Sequence, residues 1–315
     1  MVLVIYYQKS TPKHNSMAPR AGVLNSRMTA ILLLFSLFLW GRPAVALAEP
    51  EITIPQGAVG RFEITIQEGD SAPWGSFRGE LVHFRVLGAG RYLGLVGVDM
   101  ESATGLHTLE VKVIRAGTSR VIARPEVEVV EGRFGVQHLT LPDKMVDLDP
   151  PTLKRVAREK KEVSALWNSD TGDARWAPEW RMPVPGDPSG SFGKRRVING
   201  QPRNPHNGED ISAPLGTPVK APNAGIVRLA KDRYFGGRTV FLEHGGGLFT
   251  FYMHLDEISV RDGKVVGAGD LIGKVGKSGR ATGPHLHWGG RLNSARINPL
   301  ELVSGARLLR LAEAP

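Results

Sequence analysis

The chain has 315 residues, 41% hydrophobic and 23% charged, a balance that excludes a disordered tail and allows two domains of ordinary size. Glycine (38) and proline (22) are abundant and cysteine is absent, which favours short strands and tight turns and excludes disulfides. The formal charge is +9, but five of the 40 Lys/Arg and none of the 31 acids lie in residues 1–48, so the rest carries only +4; that is no nucleic-acid footprint, though it suits an anionic polymer.

Residues 1–48 read as a signal peptide or an N-terminal anchor. Arg27 precedes an apolar run from Ala30 to Trp40, and Ala46-Leu47-Ala48 is a small-x-small cleavage pattern. The run is shorter than the roughly 20 residues of a spanning helix. Cleavage is therefore the first reading, an uncleaved membrane anchor the second, and a start at Met17 or Met28 would suit either. Export without cysteine leaves packing to supply stability.

Residues 49–142 alternate apolar and polar side chains between Gly, Asp and Pro turns, as in "GRFEITIQEGD" and "HTLEVKVIRAG". Six or more strands at this spacing predict an immunoglobulin-like β-sandwich. His83, His107 and His138 are scattered through it and read as ordinary strand or turn residues.

Residues 143–182 read as one helix and a linker. Asp149 can cap, Pro150 and Pro151 suit a first turn, and Leu153, Val156, Val163 and Leu166 form an apolar stripe. Trp167, Trp176 and Trp180 read as packing anchors. From 183 to 305 short strands resume with denser glycine, "FGG" (235–237) and "GGG" (245–247) marking hairpin turns. Residues 306–315 read as a C-terminal tail.

Three pieces of this second region carry chemistry. In "TGPHLHWGG", His285 and His287 share one strand face, since side chains at i and i+2 point the same way. They are neighbours whether or not both bind one metal. In "HNGEDISAP", His206 and Asp210 converge only if the chain bends at Asn207-Gly208, because four extended residues span about 13 Å. In "GLFTFYMHL", alternation places Thr250, Tyr252 and His254 on one face, opposite an apolar face of Phe249, Phe251, Met253 and Leu255. His244 reads as a surface turn residue.

Together, H-x3-D, a Y-x-H-L strand and a G-P-H-L-H strand, in this order, resemble the lysostaphin/LytM-type zinc endopeptidases of bacterial cell walls. Flanks such as "SGSFGKRRVING" and "GEDISAPLGTPVKAPNAGIV" agree, and the resemblance covers about Pro183 to Val303. It implies a mostly β protein whose C-terminal region is a peptidase core of the duplicated hybrid motif type. It implies His206, Asp210 and His287 as ligands of one Zn2+, with His254 and His285 as catalytic histidines off the metal. Two histidines and one carboxylate leave a fourth position open, as catalytic zinc sites do. The implied substrates are peptidoglycan stem or cross-bridge peptides, in the periplasm or extracellular wall, with any divisome or wall-synthesis partner unspecified. A wall-binding factor without zinc that activates a separate amidase is the rival, and the presence of all five residues argues against it.

Overall fold

The strand-forming alternation of the sequence is realised almost throughout a computed structural model that describes residues 51–142, 146–169 and 171–312. The leader expected over 1–48 lies outside the described residues. Numbered in chain order, the first strands are β1 (Ile52–Pro55), β2 (Val59–Thr65), β3 (Trp74–Phe77), β4 (Glu80–Gly88), β5 (Arg91–Gly97), β6 (Gly105–Arg115), β7 (Thr118–Ala123) and β8 (Glu126–Val130). On β6, Leu109, Val111 and Val113 are buried while Glu110 and Lys112 are not, the period-2 pattern of a half-buried strand. Their apolar faces meet in a core that includes Ile54, Phe62 and Val127.

Hydrogen bonds link these strands in the order β1-β8-β6-β3-β4-β5-β2, with β7 attached to β6. β21 (Leu308–Leu311) adds to β2 in parallel. Part of the expected tail is thus an edge strand, which its alternating "LLRL" permits.

The strands on either side of the connecting segment pair with each other. β9 (Val136–Leu139) pairs in parallel with β10 (Arg195–Ile198), and β11 (Gln201–Arg203) pairs with β10 on its other side. Between them runs α1 (Pro150–Trp167), where Asp149 Oδ1 accepts from the Thr152 N–H at 2.8 Å, capping the helix as expected. Its apolar stripe is only half used. Val163 and Leu166 pack with Trp167 against Phe241 and Phe251, whereas Leu153 is 53% exposed. Glu159 and Glu162 tie the helix to β14 (Gly225–Arg233) and the turn after it, by accepting from the Tyr234 N–H and from Arg233.

The remaining elements are β12 (Gly208–Ile211), β13 (Pro218–Lys220), β15 (Gly237–Gly245), β16 (Leu248–Ile258), β17 (Val265–Val266), β18 (Leu271–Val275), β19 (Leu286–Leu292), β20 (Ala295–Ile297) and the short α2 (Leu300–Ser304). The main path is β12-β19-β16-β15-β14-β17, with β18 joining β13 to β16. Both expected glycine turns are present: Gly237 and Gly245 to Gly247 all have positive φ. Trp288, Tyr252, Leu242 and Val227 fill this sheet's core. Trp176 and Trp180 sit in a further apolar layer where Val59, Leu93 and Leu95 meet Leu248, Leu292 and Ile297. Asp99 accepts two hydrogen bonds from the Arg296 guanidinium, at 2.8 and 2.6 Å, beside that layer.

His244 is not at the surface. It lies one residue before the end of β15 and is fully buried, its Nδ1–H donating to the Ala224 carbonyl at 2.7 Å. With that tautomer Nε2 accepts from Thr250 Oγ1, which in turn accepts from the Tyr252 hydroxyl, each at 2.7 Å. Burial pushes the His244 pKa down to about 4. An unfolded histidine titrates near ~6.5, so below that pH the unfolded chain binds a proton that the folded chain refuses. Stability contributed by keeping His244 neutral is therefore full above about pH 6.5 and lost as pH falls toward 4. Between pH 7 and 5, urea unfolding of H244Q should show an acid-induced loss smaller than wild type by on the order of 2 kcal/mol. Identical slopes would show that His244 is not the group responsible.

Candidate metal centre and active site

Sheet register builds the centre. β12 lies antiparallel to β19 with Asp210 opposite His287, and β16 flanks β19 with Met253 opposite His287. His206 precedes β12, its backbone stitched to residues 193 and 194: His206 N–H donates to Lys194 O at 3.0 Å and Gly193 N–H to His206 O at 2.8 Å. Glu209, which the sequence reading passed over, alternates to the other side of β12 from Asp210. Its buried carboxylate accepts from the backbone N–H groups of Ser191 and Phe192, at 3.0 and 3.2 Å, and so fixes the segment that fixes His206. Its place between Gly208 and Asp210 in a short strand was the available signal.

Three side-chain atoms converge. His206 Nε2 is 2.8 Å from His287 Nδ1, His287 Nδ1 is 2.9 Å from Asp210 Oδ1, and His206 Nε2 is 3.2 Å from the same oxygen. Ligands about 2.0–2.2 Å from a tetrahedral zinc stand roughly 3.3–3.6 Å apart, so this triangle is slightly tighter than one face of such a site. One cation at its apex would meet all three lone pairs, a task that protons shared among two imidazoles and one oxygen cannot complete. His206, Asp210 and His287 thus form a group able to hold a metal ion. Gly208 makes the cradle possible: a Cβ there would lie 2.6 Å from His287 Nε2 and 2.8 Å from the Trp288 carbonyl oxygen.

The electrostatics agree with this donor set. Burial pushes the His206 pKa down to about 4, keeping its imidazole neutral at pH 7. Burial also works against the Asp210 carboxylate, but hydrogen bonds from His206 and His287 outweigh it and hold its pKa well below the usual range.

His254 and His285 stand beside the triangle. Each donates Nδ1–H to a backbone carbonyl, of Ser278 at 2.8 Å and of Gly283 at 2.9 Å. That fixes the tautomer and leaves Nε2 with a lone pair. His285 Nε2 is 3.8 Å from Asp210 Oδ1, and the His254 and His285 rings are 4.8 Å apart. Burial, then the neighbouring His287 and His285, push the His254 pKa down to about 3. Simple alternation along β16 fails here. His254 has φ +64, so the strand twists after Met253 and both Met253 and His254 face the cleft, while Leu255 turns into the core. A left-handed φ at a non-glycine residue is uncommon; the 2.7 Å hydrogen bond from His254 N–H to Gly236 O holds it.

The five residues do not all share one environment. Asp210, His254, His285 and His287 line an open cleft of about 940 Å³, together with Phe235, Arg196, Arg203 and Arg280, whereas His206 is completely buried behind it. His83, His107 and His138 lie outside the cleft lining, as expected.

Comparison with known proteins places this arrangement. The sequence profile of Peptidase family M23 matches residues 204–299, which hold all five site residues. A crystal structure from Pseudomonas aeruginosa assigned to peptidase M23 superposes with a TM-score of 0.60 at 30% identity, covering 79% of this chain and 94% of that one. The chain belongs to peptidase family M23. It is 35% identical over 143 residues to the peptidoglycan DD-endopeptidase ShyA of Vibrio cholerae, covering 42% of this chain and 33% of that one. It is 41% identical over 98 residues to the DD-carboxypeptidase/endopeptidase Mpg of Neisseria meningitidis, covering 31% of this chain and 23% of that one. The match therefore spans a third or less of the length of these curated relatives.

Because the Cβ of an alanine at position 208 would meet both a ring nitrogen and a backbone oxygen, G208A should push His287 out of the triangle. Zinc titration should show at least a tenfold loss of affinity with the fold retained by circular dichroism. Unchanged affinity would mean that the cradle tolerates the added atom.

Proposed function

We propose that this protein is an exported zinc metalloendopeptidase that hydrolyses peptide cross-links of bacterial peptidoglycan. The observation that carries the proposal is the convergence of His206, Asp210 and His287 to within 3.2 Å of one another beside two further histidines in an open cleft. Family membership and the activities of ShyA and Mpg support the substrate class. The leader-like residues 1–48 support export, and no helix among the described residues is long and apolar enough to cross a membrane.

His206 Nε2, Asp210 Oδ1 and His287 Nδ1 would hold one Zn2+. The chemistry supplied by a bound zinc is Lewis acidity, which polarises a scissile carbonyl and brings the pKa of water toward ~7. The chain supplies the rest. Both histidines offer Nε2 in a fixed orientation, so one accepts the proton of the attacking water. That ring then returns the proton from its Nε2–H to the leaving amine, while the other steadies charge on the carbonyl oxygen where its own Nε2 carries a proton to donate. The carbonyls of Ser278 and Gly283 hold both rings in place by accepting from Nδ1–H. The peptidase domain spans 183–305 in this reading, and residues 49–142 form an accessory domain that positions it, with α1 as the brace.

Digestion of purified sacculi followed by mass spectrometry of the released fragments tests the activity and the bond together. Soluble cross-link fragments should appear, vanish with a chelator and return with zinc. Intact sacculi with zinc-loaded protein would contradict the proposal.

The roles of the five residues separate in a second measurement. H206A, D210A and H287A should each lose bound zinc, whereas H254A and H285A should keep it and lose at least 100-fold in turnover, the usual scale for a proton-transfer group. A metal-free H285A protein would overturn this division.

A further inference from the structure

A row of side chains in the cleft has no part in the chemistry above. β9, β10 and β11 bring Gln137, Arg196 and Arg203 opposite one another in register, and all three line the cleft. Arg280 lines it as well, its guanidinium 4.3 Å from the centre of the Phe235 ring. Like charges directly opposite on antiparallel strands destabilise a sheet, and here the pair is Arg196 and Arg203. The repulsion extends further: Arg280 opposes the charge of Arg196, and Arg203 opposes that of Arg280.

The described residues answer the charge of Arg196 only in part, through the attraction of the Asp210 carboxylate. Arg196 Nε donates to Gln137 Oε1 at 3.3 Å, and Arg203 Nη2 donates to Gln201 Oε1 at 2.8 Å. Among the described residues neither arginine forms an ion pair. Among the described residues the one carboxylate lining the cleft is Asp210, already engaged by two histidines. Gln137 therefore orients the Arg196 guanidinium through Nε and leaves its two terminal NH2 groups for a planar, bidentate acceptor. Gln137, Arg196 and Arg203 all precede the stretch matched by the family model, 204–299, so the row lies on the strands that flank it.

We propose that Arg196 and Arg203 form a carboxylate-binding subsite that selects acidic peptides over neutral ones. The cleft then takes peptides with a free carboxylate near the scissile amide, in preference to uncharged bridges such as runs of glycine. The proposal rests on the peptidase reading for what happens to the bound peptide, but not for its binding.

Calorimetry on the full zinc-loaded protein separates the two. One pair of N-acetylated peptide amides, Glu-Ala-Ala and Gln-Ala-Ala, differs only in a side-chain carboxylate. A second pair, Gln-Ala-Ala with a free or an amidated C-terminus, differs only in a terminal one. At least one acidic peptide should bind tenfold or more tightly than its neutral partner, and R196Q and R203Q should each cut that ratio below threefold. The melting temperature of neither variant should fall, because each substitution relieves the Arg196–Arg203 repulsion; a purely structural role predicts a fall. Equal binding within both pairs, or a ratio unchanged in both variants, overturns the subsite. Preferential binding without cleavage of any peptide or sacculus would keep the subsite and reject the peptidase reading. Cleavage without preference would do the reverse.

Discussion

Everything at the site depends on one cross-strand register, Asp210 opposite His287 on β12 and β19. A strand places side chains on alternate faces, so a slip of one residue would carry His287 into the core and bring Trp288 out. The slip is prevented by burial on the other face, where Leu286 and Trp288 are fully enclosed with Tyr252. The apolar core thus sets the geometry of the polar triangle. Gly208 then lets the imidazole lie close against the neighbouring strand, and Glu209 draws in the segment that carries His206.

The regions on either side of the family-matched core take part in its architecture. β9 comes before α1 in the chain yet pairs with β10, and Gln137 on β9 lines the same cleft as the histidines. α1 covers Phe241 and Phe251 through Val163, Leu166 and Trp167, behind the strand that carries His254. Trp176 and Trp180 seal the layer between the two large sheets. A cleft whose walls come from such distant segments can acquire specificity without altering the residues able to hold a metal ion.

The strands and the main helix were legible because period-2 alternation, glycine turns and a capping aspartate are local signals. The convergence of His206, Asp210 and His287 was legible through the resemblance of the combined motifs, since spacing alone required only that the chain bend. What the sequence hid has a common cause: it depends on partners distant in the chain. His244 sits beside three glycines, a surface-like context, but Ala224 and Thr250 enclose it. His254 departs from alternation because Gly236 holds its backbone at a positive φ. The Arg196–Arg203 pair exists only through a short hairpin, and Gln137 reaches it from 59 residues away. The parallel pairing of β21 with β2 joins the two ends of the described chain and leaves no local trace.

The central claim is that the triangle His206, Asp210 and His287 binds zinc while His254 and His285 stay off the metal. Anomalous diffraction at the zinc edge from crystals of the zinc-loaded protein tests it most directly. The account predicts one peak about 2.0–2.2 Å from His206 Nε2, Asp210 Oδ1 and His287 Nδ1, with His254 and His285 beyond bonding distance. A peak coordinated by His254 or His285 in place of any of the three would contradict it.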